Sequence, residues 1–213
     1  MLRLDIFSDP ICPWCMIGKA QLDRALEARP AHPFKIEWHP FQLNPNMPPA
    51  GQSRIDYLAA KFGGLDKVAQ ISARVEAAAR DAGTEIDFSK VAHIPNTLNA
   101  HRLIHWAGIE GRQSAVVSAL FRSYWREERD IGDTATLCEI AKMAGMDDQL
   151  VGRLLNSDAD CEDLMARDRD AREKGVNAVP TYLIAQQYVL SGAQPTELWK
   201  QVIDELIEKT IAQ

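Results

Sequence analysis

The chain has 213 residues, 46% of them apolar and 25% charged, which is the balance of a globular fold with material for one well-cored domain or a small domain carrying a large insertion. Its net charge of −6 argues against a general affinity for nucleic acid or for an anionic lipid surface. No segment approaches the roughly 20 apolar residues that a membrane-crossing helix needs. The opening Met1–Phe7 is too short and too soon interrupted by charge for a signal peptide, so a cytoplasmic location is expected. There thiols stay reduced, and four cysteines do not read as a disulfide scaffold.

In chain order, Leu2 to Ser8 alternates as a strand, with Leu4 and Ile6 on one side and Asp5 and Phe7 on the other. Asp9-Pro10 breaks it. A helix is predicted from Pro13 to Ala28, its inner stripe carrying Ile17, Leu22 and Ala25, and Pro30 stops it. Phe34 to Leu43 reads as a second strand, where Pro40 calls for an edge position or a bulge. After the loop at 44–49 the pattern is helical to Lys174. The expected helices start at the Ser53 cap, Leu65, the Asn96 cap, the Val116–Trp125 stripe, the Asp133 cap and Ala159. Val179–Ile184 and Tyr188–Ser191 then suggest a hairpin, followed by a helix from Pro195 to about Thr210. The order β-α-β, helical block, β-β-α predicts an α/β fold: a four-stranded sheet split by a large helical insertion. Residues 1–50 and 175–213 would form the α/β unit and 51–174 the insertion.

Cys12 and Cys15 fall where strand gives way to helix. The first turn of a helix presents unsatisfied N–H groups and the positive end of the macrodipole, which favour a thiolate, and only the thiolate attacks a disulfide. Cys12 is the expected nucleophile, open to solvent. Cys15, one turn deeper on the same face, is placed to resolve a mixed disulfide. Pro13 suits the first helical turn, where its missing N–H costs nothing. A zinc site is disfavoured: Cys138 and Cys161 lie 23 residues apart in separate helical patterns, and there is no second Cys-x-x-Cys. Both read as buried apolar fillers. Trp14 offers either an apolar substrate contact or simple packing. Asp5 is either a buried proton acceptor for Cys15 or a salt-bridged strand carboxylate. His101 and Arg102 either line the cleft or make a helix–helix contact. His39 has no assigned partner.

Several blocks together resemble the DsbA-like thioredoxin superfamily, in particular its FrnE-like branch. They are Ser8-Asp9-Pro10-Ile11-Cys12-Pro13-Trp14-Cys15 with Ile17-Gly18, Phe41-Gln42-Leu43-Asn44-Pro45, Pro95-Asn96-Thr97 with Ala100-His101-Arg102-Leu103, Val179-Pro180-Thr181, and Ser191-Gly192-Ala193-Gln194. The resemblance implies a thioredoxin-like fold with an all-helical insertion, and a cis Val179-Pro180 bond beside the dithiol. It also implies exchange with disulfide-containing proteins or small molecules, with Pro13, Trp14, Val179 and Pro180 meeting the substrate. No metal and no resident cofactor are implied, and glutathione is the candidate redox partner. The same branch includes kappa-class glutathione transferases and 2-hydroxychromene-2-carboxylate isomerases, which typically carry serine in place of Cys12. Nothing in the sequence specifies an oligomeric state.

Overall fold

In a computed structural model, which describes residues 1–211, the chain forms a mixed four-stranded sheet flanked by nine helices. The last two residues of the 175–213 segment lie outside that description. Strand β1 (Leu2–Ser8) leads into helix α1 (Pro13–Ala28) and returns as β2 (Phe34–Pro40). Two short strands, β3 (Gln52–Ser53) and β4 (His93–Ile94), bracket α2 (Arg54–Phe62) and α3 (Leu65–Asp81). Then come α4 (Leu98–Ile109), α5 (Gln113–Trp125), α6 (Thr134–Met143), α7 (Asp148–Leu155) and α8 (Cys161–Glu173). The hairpin β5 (Thr181–Ile184) and β6 (Tyr188–Ser191) precedes α9 (Thr196–Ile211).

The sheet runs β2-β1-β5-β6. β1 lies parallel to β2 and antiparallel to β5, so the crossover through α1 and the late hairpin meet on the central β1. β2 is an edge, which is where Pro40 is tolerated. The outer side of that edge is covered: Gln113 accepts from the Trp38 N–H at 2.8 Å and donates to the Trp38 carbonyl at 3.0 Å. β2 stops at Pro40 rather than at Leu43. The next backbone N–H groups are taken by carboxylates, Gln42 by Asp168 at 2.8 Å and Leu43 by Asp9 at 2.7 Å.

Two expectations about the insertion need correction. It is not wholly helical, because β3 pairs with β4 and ties the start of α2 to the approach of α4. It contains a further helix, α7, capped by Asp147 and only eight residues long, too short to stand out by periodicity. One continuous apolar cluster joins Leu4, Ile6 and Ile17 to Val75, Leu103, Leu120 and Leu137. The N-cap of α4 is Thr97 rather than Asn96, while the signals at both ends of α2 act as expected. The Ser53 hydroxyl accepts from the Asp56 N–H, and Gly63 ends α2 in the left-handed conformation at φ 80°.

α1 and α9 pack together against the sheet. The ring of Tyr182 on β5 meets Trp199 of α9 edge-on, with centroids 4.8 Å apart. Gly18 of α1 lets the helix settle onto this layer: a Cβ there would lie 2.4 Å from Tyr182 Oη and 3.1 Å from Pro180 Cγ. That close approach holds the dithiol turn of α1 against the start of β5.

Candidate active site

β1 delivers the chain to the Asp9-Pro10 turn, closed by a 2.9 Å hydrogen bond from Cys12 N–H to the Asp9 carbonyl. Cys12 is the N-cap of α1, in extended conformation, with Pro13 following inside the first turn. Its carbonyl accepts from the N–H groups of Cys15 and Met16 at 3.1 and 3.2 Å. The Cys12 thiol points across the fold to the Val179 carbonyl, 3.6 Å away, and the Val179-Pro180 bond is cis. All four cysteines are free.

Cys12 is not open to bulk solvent as expected. It is 3% exposed, against 41% for Trp14, and is reached through a cavity of about 360 Å³ between the dithiol turn and the insertion. Pro13, Trp14 and Val179 line that cavity, together with Tyr57, Phe62 and Ile71 of α2 and α3, Tyr124 and Trp125 of α5, and Arg54. Cys15 lies beneath at 1% exposure. Burial and the neighbouring Cys12 sulfur push its thiol well up, while the Ser8 hydroxyl and the Asp9 backbone N–H pull the other way. Among the described residues Ser8 Oγ is buried without a hydrogen-bond partner.

Asp5 stands elsewhere. It pairs in register with Glu37 of β2, and Phe7 with His39, whereas Ser8 and Ile6, opposite Tyr182, point to the other face of β1. Asp5 therefore faces away from Cys15. Its carboxylate is held by His39 Nε2 at 2.6 Å and Arg3 Nε at 2.8 Å, so of the two readings the structure builds the salt-bridged strand carboxylate. Burial lowers the His39 pKa, the Asp5 contact opposing it.

The buried carboxylate next to the dithiol turn is Asp9, which sequence reasoning treated only as a strand breaker. It is fully buried and accepts from Leu43 N–H at 2.7 Å, Ile11 N–H at 3.4 Å and Thr97 Oγ1 at 3.5 Å. Burial outweighs these bonds and raises its pKa to about 7. His101 Nε2 sits 3.8 Å from Asp9 Oδ1 with no hydrogen-bond partner among the described residues, and burial lowers the histidine to about 4. Asp9 thus ties the dithiol turn to the loop after β2 and to the start of α4. Arg102 is a helix contact: it donates to the carbonyls of Leu154, Leu155, Ser157 and Ala159 and to Asn99. Cys138 is half-buried on α6, its thiol raised by burial and nearby aspartates. Cys161 is half-buried too, at the first position of α8 rather than inside a helix.

Arg54 was missed altogether. A signal existed: an arginine directly after a serine cap puts a cation where the helix macrodipole disfavours one.

The fold and the dithiol define a thioredoxin-type protein of the DsbA kind. The chain belongs to the family of the DSBA-like thioredoxin domain, whose model matches residues 3–204. The probable DsbA oxidoreductase SCO1869 from Streptomyces coelicolor is 30% identical, with a TM-score of 0.84 over 96% of this chain and 89% of that one. Two more distant structures share the fold. The cytosolic disulfide reductase DsbM from Pseudomonas aeruginosa, solved with GSH, is 18% identical with a TM-score of 0.69 over 97% and 100% of the two chains. A 2-hydroxychromene-2-carboxylate isomerase is 14% identical with a TM-score of 0.72 over 99% and 98%. Among the described residues no helix is long and apolar enough to cross a membrane.

Proposed function

We propose that the protein is a cytoplasmic dithiol–disulfide oxidoreductase of the FrnE-like branch, in which Cys12 attacks and Cys15 resolves. The observation that carries this reading is the asymmetry of two free, adjacent thiols at the start of α1. Cys12 lines the cavity, while Cys15 is sealed beneath it with its thiol held protonated by burial. A first attack from Cys15 is disfavoured on both counts, accessibility and thiolate content.

In the proposed reaction the Cys12 thiolate attacks one sulfur of the substrate disulfide, a mixed disulfide forms, and the other sulfur leaves as a thiolate. Removing the negative charge on Cys12 relieves its repulsion of the Cys15 thiolate. Ser8 Oγ and the Asp9 N–H stand beside Cys15 to stabilise that thiolate. Cys15 releases its proton, attacks the Cys12 sulfur and expels the second thiolate. The dithiol has then lost two electrons and the substrate has gained two. A thiol such as glutathione would reduce the protein again. The Val179 carbonyl faces Cys12, and it and Pro180 offer the backbone against which a substrate would lie, with Trp14 and Pro13 at the cavity mouth.

The presence of both thiols favours this reading over a glutathione-dependent isomerase or transferase, whose chemistry would not use Cys15. The test is trapping. Cys15→Ser is expected to accumulate mixed disulfides, and Cys12→Ser to accumulate none. Capture of substrate through Cys15 in the Cys12→Ser protein would reverse the assigned roles. Glutathione-dependent turnover that survives loss of Cys15 would replace the reading with the isomerase one.

A further inference from the structure

The cavity beside Cys12 is lined by no aspartate or glutamate, although the chain as a whole carries an excess of negative charge. It is lined by two cations, Arg54 and Lys61, in walls otherwise made largely of apolar and aromatic side chains. Neither cation forms a salt bridge among the described residues. Lys61 reaches only Asn44 and the Tyr57 hydroxyl, each at 3.3 Å.

Arg54 is the more telling of the two. It is 8% exposed, and its guanidinium lies 4.2 Å from the centre of the Phe88 ring. Among the described residues its side chain makes one hydrogen bond, to Ser72 Oγ at 3.3 Å. A guanidinium has five N–H donors, and a buried charge without a counter-charge is costly. Arg102, the other buried arginine among the described residues, does not bear that cost, because it spends its donors on four carbonyls and on Asn99. Arg54 also occupies the first position of α2, against the helix dipole. Burial lowers its pKa, and Glu76 acts on it only from beyond ion-pair range. Three local arrangements that folding alone would disfavour therefore coincide at one residue on the wall of the cavity that leads to Cys12.

We propose that this cavity takes a low-molecular-weight disulfide bearing a carboxylate on an apolar body, with Arg54 supplying the counter-charge to the carboxylate and the aromatic wall receiving the body. This rests on disulfide exchange at Cys12 and names the class of its substrate. A cavity of about 360 Å³ suits a small organic molecule rather than a folded partner. A planar guanidinium matches a carboxylate in a two-bond geometry. The electron count is that of the exchange itself: Cys12 takes one half of the ligand as a mixed disulfide and releases the other as a thiolate. Cys15 then displaces the second half, leaving a protein disulfide and two ligand thiols.

The experiment compares two aryl disulfides on the reduced protein, dithiobis(nitrobenzoate), with a carboxylate on each ring, and neutral dithiodipyridine. The readout is the ratio of their second-order rate constants at Cys12. Arg54→Gln is expected to lower that ratio about tenfold or more, the worth of one charged hydrogen-bonded pair, with Arg54→Lys recovering part of it. A wild-type measurement that needs no variant accompanies it: naphthoate should protect Cys12 from alkylation better than naphthamide. An unchanged ratio in folded Arg54→Gln protein, or equal protection by the two naphthyl compounds, overturns the assignment and leaves exchange at Cys12 standing. Failure of wild-type Cys12 to react with either disulfide overturns the proposed exchange activity itself.

Discussion

Gly18→Ala is a single-methyl test of how α1 is seated over the site. The added Cβ would stand 2.4 Å from Tyr182 Oη, 3.1 Å from Pro180 Cγ and 3.4 Å from Ala193 Cα, so something must move by about 1 Å to restore an ordinary contact. Tyr182 cannot swing aside: it is 1% exposed, and its ring is held edge-on against the fully buried Trp199. Overpacking of this kind costs about 1–3 kcal/mol, and replacing a mid-helix glycine returns about 0.5–1 kcal/mol of that. The expected net loss is about 0.5–2 kcal/mol, or roughly 1–8 °C in melting temperature for a chain of this length. Gly18 is one turn beyond Cys15, so relief by tilting α1 also shifts the dithiol relative to the Val179 carbonyl and slows exchange. Thermal unfolding by circular dichroism and stopped-flow exchange with a model disulfide read the two effects. A Gly18→Ala protein as stable as the parent and equally fast would show that α1 is not wedged against β5 as described.

Two further outcomes follow from the buried carboxylates. The Asp9 pKa is raised to about 7 in the fold, so the unfolded chain releases its proton first and this group's contribution to stability is lost as pH rises from about 4 to 7. His101, lowered to about 4, has the opposite slope below about 6.5 and masks the effect in the parent. Asp9→Asn should therefore gain stability relative to the parent as pH rises through that window, by up to a few kcal/mol; urea titrations at pH 4 and 7 showing a constant difference would refute it. Asp5→Asn should cost about 1–3 kcal/mol through weakened contacts to His39 and Arg3, yet leave the release of product from the mixed disulfide at the parental rate. A marked slowing of that step with the fold intact would return Asp5 to the proton-acceptor role.

The local chemistry of this protein was written in the chain. The Cys-Pro-Trp-Cys run after an alternating strand placed a thiol at a helix start, because a helix N-terminus needs only short-range sequence to form. Ser53 and Gly63 set the ends of α2 for the same reason, and Val179-Pro180 marked the start of β5. Which side chains share a face of β1 was also legible from alternation; what stands on that face was not. Asp5 meets His39 and Arg3 because β2 lies in a particular parallel register. Asp9 lies buried beside His101 because α4 folds back across the dithiol turn from 88 residues away. The exposure of Cys12 was misjudged because the insertion closes over it. The lone charge of Arg54 becomes visible only once α2, α3 and α5 enclose a common cavity. Propensity and capping act over a few residues, whereas burial, register and the dielectric around a charge are set by contacts between segments far apart in the chain, and those the tertiary structure alone decided.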